Sequence, residues 1–139
     1  MCVQNVKNSI KVGSLTGNRN IEFGVKNILE EILQDKGYKI NCSDNSIKVY
    51  TELIYMDVLL TKSNMSIFHK DDNAIVIRIK GYTLDNGVKS KEYIVEEQAI
   101  EESFSTMIIS SEGKINKQNI STAIKKSCES IINKLIKSK

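Results

Sequence analysis

The chain has 139 residues, 40% of them hydrophobic and 27% charged, and a formal net charge of +3. That is enough for one domain with a real core, and the mild charge argues against the clustered basic face by which nucleic acid is held. No run of about 18 apolar residues occurs, so no membrane-crossing helix is expected. The opening "MCVQNVKNSIKVG" has no apolar stretch of the kind a secretory signal carries.

Residues 1–9 read as an N-terminal arm. "IKVGSL", Ile10 to Leu15, then places Ile10 and Val12 on one face and predicts a short strand. Beyond a loop, Ile21, Val25, Ile28, Leu29, Ile32 and Leu33 recur at helical spacing and predict a helix over about 20–36. Asn18 or Asn20 could cap it, since a short side-chain oxygen accepts the free N–H groups of a first turn. Gly37 suits the left-handed position that ends it. "YKINC", Tyr38 to Cys42, alternates and reads as a second strand, followed by a turn at "SDNS".

"IKVYTELIYMDVLL", Ile47 to Leu60, is rich in β-branched and aromatic residues and reads as one long strand with room for a bulge; its alternation is Ile47, Val49, Thr51, Leu53, Tyr55. "NMSIFHK" follows, and Asp71 to Asn73 reads as a turn. Ala74 to Leu84 puts Ile75, Ile77 and Ile79 on one face and Arg78 and Lys80 on the other. "DNG", Asp85 to Gly87, is the strongest local signal in the chain, because Asn-Gly tolerates the positive φ angles of a tight hairpin. "VKSKEYIVEE" returns as the partner strand. The segment from Gln98 to Gln118 has no clear period. From Ile120 a helical stripe sharpens: Ile120, Ala123, Ile124, Cys128, Ile131, Ile132, Leu135 and Ile136. Lys134, Lys137 and Lys139 suit the negative end of its dipole.

The order is β–α–β–β–β–β–β–α. It implies an α+β fold: a two-layer α/β sandwich with both helices on one face of a mainly antiparallel sheet.

The chemistry-bearing residues are sparse. "VGSLTGNRNIEFG" has the strand, loop and helix layout of a phosphate cradle, but Gly13 and Gly17 are followed by Asn18 and Arg19, not by the Lys-Ser/Thr pair of a P-loop. A turn is the reading. His69 is the only histidine, and a metal site there would need Asp71 or Asp72, two adjacent acids in a predicted turn. No metal or other cofactor is expected. Cys2, Cys42 and Cys128 form no CxxC, so zinc is unsupported, and an odd count closes no disulfide framework. Cys42 and Cys128 lie on apolar faces and read as buried free thiols. Cys2, near the N-terminus, is either incidental or a lipidation site. No GxSxG elbow is present, and the carboxylates of "EEQAIEE", Glu96 to Glu102, read as a solvated face. The hairpin brings Lys89 and Lys91 near Arg78 and Lys80, a modest basic patch and a candidate interface.

The phrase "ILEEILQDKGYKI" (residues 28–40), the long strands after it and the closing helix "ISTAIKKSCESIINKLI" resemble a group of small bacterial envelope domains, seen in YajG-type lipoproteins and in the curli secretion lipoprotein CsgG. The resemblance spans nearly the whole chain. It implies a non-catalytic domain at the periplasmic side of the outer membrane that forms rings. The start at Met1-Cys2 departs from a lipoprotein precursor, so either Cys2 is the lipidated residue of a trimmed chain or the protein is a relative made without a signal, such as a phage virion component. The expectation is a structural protein, not an enzyme, that assembles with itself and with other structural proteins and meets a membrane only through a lipidated Cys2. The alternative is a module binding a small ligand or lipid on the open sheet face, with Tyr50, Tyr82 and Tyr93 as contacts.

Overall fold

The computed structural model describes residues 1–10, 21–63, 70–101 and 117–137. Its elements in chain order are β1 (Cys2–Asn8), α1 (Glu22–Asp35), β2 (Lys48–Ser63), β3 (Lys70–Asp85), β4 (Val88–Lys89), β5 (Tyr93–Glu101) and α2 (Lys117–Lys137). The strands form one sheet in the order β1-β2-β3-β4, with β5 also paired to β3. β1 runs parallel to β2 and every other pairing is antiparallel. Both helices pack on the same side: α2 lies on β3 and β5, α1 lies on β1, and the helices touch each other. The two-layer sandwich expected from the patterning is the fold.

α1 forms because Val25, Leu29, Ile32 and Leu33 make one stripe that the sheet and α2 bury. Its N-cap is Ile21, which supplies no side-chain acceptor; Asn18 and Asn20 lie outside the described residues. The C-terminal end follows the expectation for Gly37. With φ at +84°, Gly37 lets its own N–H reach Gln34 O at 2.8 Å, and lets the Tyr38 N–H reach Leu33 O at 3.0 Å. These are the two bonds of a Schellman cap.

β2 and β3 are sixteen residues each and pair from Lys48 with Leu84 to Ser63 with Lys70. Asp71, Asp72 and Asn73, expected as a turn, are therefore strand residues opposite Lys62, Thr61 and Leu60. Their turn-forming tendency gives way to a ladder already running along both strands. The anticipated bulge is present. Leu53 faces Ile79, but Tyr55 faces Arg78, so Ile54 is an extra residue on β2. It moves the inward set from Val49, Thr51 and Leu53 to Met56. Tyr55, assigned by simple alternation to the inner face, is turned to the outer one.

The hairpin turn is as the Asn-Gly pair predicts: Asn86 has φ at +49° and Gly87 at +82°, and Asp85 pairs with Val88 across them. The return strand is interrupted. From Leu84 opposite Lys89 to Gly81 opposite Tyr93, β3 advances three residues and its partner four. The extra residue is accommodated at 90–92, where the Ser90 N–H donates to Thr83 O and its hydroxyl accepts from the Thr83 N–H at 2.9 Å.

The largest departures are at the N-terminus. Residues 1–9 are not an arm. The Cys2 N–H donates to Ile47 O and the Ser9 N–H to Leu53 O, which bracket β1 against β2, and Val3 and Val6 enter the core. Most of the strand expected over 10–15 lies outside the described residues. Tyr38–Cys42 is not a strand of the sheet. It passes the chain start, where the Met1 ammonium donates to Lys39 O and the Asn41 N–H to Met1 O. That passage brings Cys42 to Cys2, with Cα atoms 4.9 Å apart and the sulfurs joined in a disulfide. Cys42 is thus not a buried free thiol. Cys128 is one, on the inner face of α2.

Candidate functional site

The face of the sheet away from the helices carries the residues singled out in the sequence. The pleat and the bulge together set Tyr50, Glu52 and Tyr55 of β2 against Tyr82, Lys80 and Arg78 of β3 in direct cross-strand register. Tyr50 and Tyr82 stack with centroids 5.0 Å apart and planes 8° from parallel. Lys80 Nζ stands 2.7 Å from Glu52 Oε2, while Lys7 Nζ on β1 lies 3.3 Å from Glu52 Oε1 and the Ser9 hydroxyl donates to the same oxygen. Arg78 lies over the Tyr55 ring at 5.4 Å and pairs through its guanidinium with Glu96 on β5. Lys89 lies 4.1 Å over the Tyr82 ring and 3.2 Å from Glu92, and Lys91 lies over Tyr93 at 5.8 Å.

Arg78, Lys80, Lys89 and Lys91 do not form a patch of unmet positive charge. Each is matched to a carboxylate or a ring. The signal for this was in the sequence, because Glu52, Glu92 and Glu96 are interleaved with these cations; only the register shows which acid meets which base. The tyrosines proposed as ligand contacts are engaged as well. Tyr82 is stacked by Tyr50 and covered by Lys89. Tyr93 is not on the open face: it pairs with Gly81, whose Cβ position meets Ile131 of α2, and it packs half-buried against the core with Lys91 over its ring.

The electrostatics run the same way. The Lys80 ammonium and the Ser9 hydroxyl hold the Glu52 carboxyl at about 2, below its ordinary range. Glu52 in turn raises Lys80. Burial pushes the Cys128 thiol up to about 12. All three shifts reinforce the state the group already has at neutral pH, whereas acid–base catalysis needs values moved toward it. Of the acidic run, Glu96 and Glu97 point to opposite sides of the sheet. In β5, Glu96 faces Arg78 on the outer side, and Glu97 accepts from the Ser130 hydroxyl on α2. Glu102 lies outside the described residues, as do His69, Gly13, Gly17 and Arg19. Among the described residues, no three His, Cys, Asp or Glu side chains are grouped to hold a metal ion, and no helix is long and apolar enough to cross a membrane.

Sequence reasoning missed the outer edge of β5. Among the described residues β5 pairs with β3 alone. The Lys134 ammonium on α2 donates to Ile94 O at 3.5 Å, so that carbonyl is directed away from β3. Strand alternation gives the main-chain groups of Glu96 and Gln98 the same direction. A groove of about 310 Å³ runs between this edge and α2, lined by Ile94, Glu96, Glu97, Ser130 and Lys134 among others, and Ile94 is 53% exposed. The signal available was "YIVEE", a strand whose outward residues include an isoleucine.

Comparison with protein-family models and with curated protein sequences finds no match. Solved structures do match. A minor lipoprotein from Acinetobacter baumannii superposes with a TM-score of 0.55 at 9% identity, covering 94% of this chain and 88% of that one. A hypothetical protein from Chlamydia trachomatis gives 0.52 at 10% identity over 97% and 91%. A protein from Xanthomonas campestris, of a family of unknown function, gives 0.50 at 8% identity over 97% and 80%. At such identities the likeness is one of fold, a fold shared with the Acinetobacter minor lipoprotein.

Proposed function

We propose that this chain is a non-enzymatic domain of envelope-lipoprotein type, working by association with copies of itself or with another structural protein through the outer edge of β5. The observation that carries this reading is that edge: the Ile94 carbonyl is directed away from β3, strand alternation gives Glu96 and Gln98 the same direction, and the exposed Ile94 side chain lines a groove beside it. A strand edge that no other strand pairs with among the described residues is a template for another strand. On the outer face, Arg78, Lys80 and Lys89 are each matched to a carboxylate within the chain. YajG-type and CsgG-like domains remain the pattern for such a role. The similar structures come from bacteria, which favours the periplasmic side of an envelope over a virion.

Ile94→Lys tests the edge. A charge on an edge strand opposes pairing with a second strand, and the side chain is exposed, so the fold should be unaffected. The expected result is loss of self-association with the thermal midpoint retained. An unchanged mass distribution would count against β5 as the contact.

A further inference from the structure

The three cysteines have unequal surroundings, and only one pairing is open to them. Cys2 opens β1, with its N–H bonded to Ile47 O at 2.8 Å. Cys42 lies forty residues on, in the segment that Met1 ties through Lys39 O and the Asn41 N–H. The Cα separation of 4.9 Å is within the span of a disulfide, and Cys42 lies in an exposed stretch where an oxidant can reach it. Cys128 is wholly buried among the core residues of α2 and cannot compete for either partner.

We propose that Cys2–Cys42 is a working disulfide that fastens β1 to the sheet, made in an oxidising compartment, and that Cys2 is thereby a disulfide residue and not a lipid acceptor. The step balances as thiol–disulfide exchange with a disulfide-bearing oxidoreductase. The Cys42 thiolate attacks the oxidant's disulfide and releases one of its sulfurs as thiolate. The Cys2 thiolate then attacks Cys42 Sγ and releases the second. Two electrons pass to the oxidant, whose dithiol takes up the two protons the cysteines have lost. Disulfides of this kind persist outside the cytosol, the bacterial periplasm included. β1 is a seven-residue strand at the sheet margin that pairs with β2 only, among the described residues. The inference does not depend on how the domain associates.

The test uses the full chain equilibrated in a buffer of reduced and oxidised glutathione, quenched in acid, alkylated and digested without reduction for mass spectrometry. The expected product is a Cys2–Cys42 linked peptide, with Cys128 alkylated only after denaturation. Dithiothreitol should lower the melting midpoint by about 10 °C, to that of the Cys2→Ser/Cys42→Ser double variant, and should not move the double variant. Glutathione adducts at Cys2 and Cys42, a bond to Cys128, or a wild-type midpoint indifferent to reductant would overturn the proposal. So would a diacylglyceryl thioether on Cys2 in chain recovered from bacterial cells.

Discussion

Glu52 and Lys80 face each other directly across β2 and β3, with Lys80 Nζ 2.7 Å from Glu52 Oε2. The pair is the centre of a three-strand charge ladder, since Lys7 on β1 lies against the other carboxylate oxygen. With its folded value depressed from 4.5 to about 2, the Glu52 carboxyl stabilises the fold above its unfolded value and loses that contribution as pH falls through the folded one. Melting midpoints of the wild type should therefore fall between about pH 4.5 and about pH 2 more steeply than those of Glu52→Gln. Parallel pH profiles would show that the ladder contributes nothing. Lys80 is shifted the opposite way, so its contribution is full below its unfolded value and is lost as pH rises through its raised folded value.

Gly81 sits opposite Thr51, where the sheet meets α2. A Cβ built on Gly81 would stand 2.9 Å from Ile131 Cγ1 and 3.3 Å from Tyr50 O. Ile131 is fully buried and cannot retreat. Gly81→Ala should cost about 1–3 kcal/mol by overpacking, read as a lower urea midpoint. A double-mutant cycle with Ile131→Ala should show coupling between the two sites.

Thr51 is itself buried, and its hydroxyl has no hydrogen-bond partner among the described residues. A buried unpaired polar group costs about 1–3 kcal/mol relative to an apolar one of the same shape. Thr51→Val should raise stability by about 1 kcal/mol in the same titration. A loss would mean that the hydroxyl is hydrogen-bonded after all.

The hairpin turn depends on two left-handed residues. Gly87→Ala places a Cβ at φ +82° and should cost about 1–2 kcal/mol. Asn86→Gly keeps a residue that tolerates φ +49° and should change stability little. Urea unfolding of both variants separates a turn defect from a packing defect, because neighbouring Val88 is exposed in either case.

Cys128 reports global opening. Its thiol is buried on α2 and held at about 12, so it is protonated and shielded in the native state. Alkylation of the native protein should proceed at the rate set by unfolding and fall as any stabilising variant is introduced. Labelling as fast as a free peptide thiol would place Cys128 outside the core.

Much of the fold is legible in the sequence because its signals are local. The stripes of Val25, Leu29, Ile32 and Leu33 and of Ala123 to Leu135, the cap at Gly37 and the turn at Asn86-Gly87 each depend on a few neighbouring residues. What was not legible depends on pairing over distance. Ile54 is an ordinary strand residue, and only the register against β3 makes it the bulge that turns Tyr55 outward. Asp71 to Asn73 look like a turn until the length of β2 is known. The N-terminal strand carries apolar residues at Val3 and Val6 but no clean alternation, so its place beside β2 had no local sign. At the outer face the neutralisation of Arg78 and Lys80 is not legible locally, because Glu52 meets Lys80 and Glu96 meets Arg78 only once the strands are aligned. The Cys2–Cys42 bond was hidden for the same reason.

The most direct test of the account is native mass by light scattering on the wild-type chain over a dilution series from tens of micromolar downward. The account predicts one discrete assembly whose mass is a whole multiple of 15.7 kDa and persists on dilution. A strict 15.7 kDa monomer across the series would contradict self-assembly through the β5 edge.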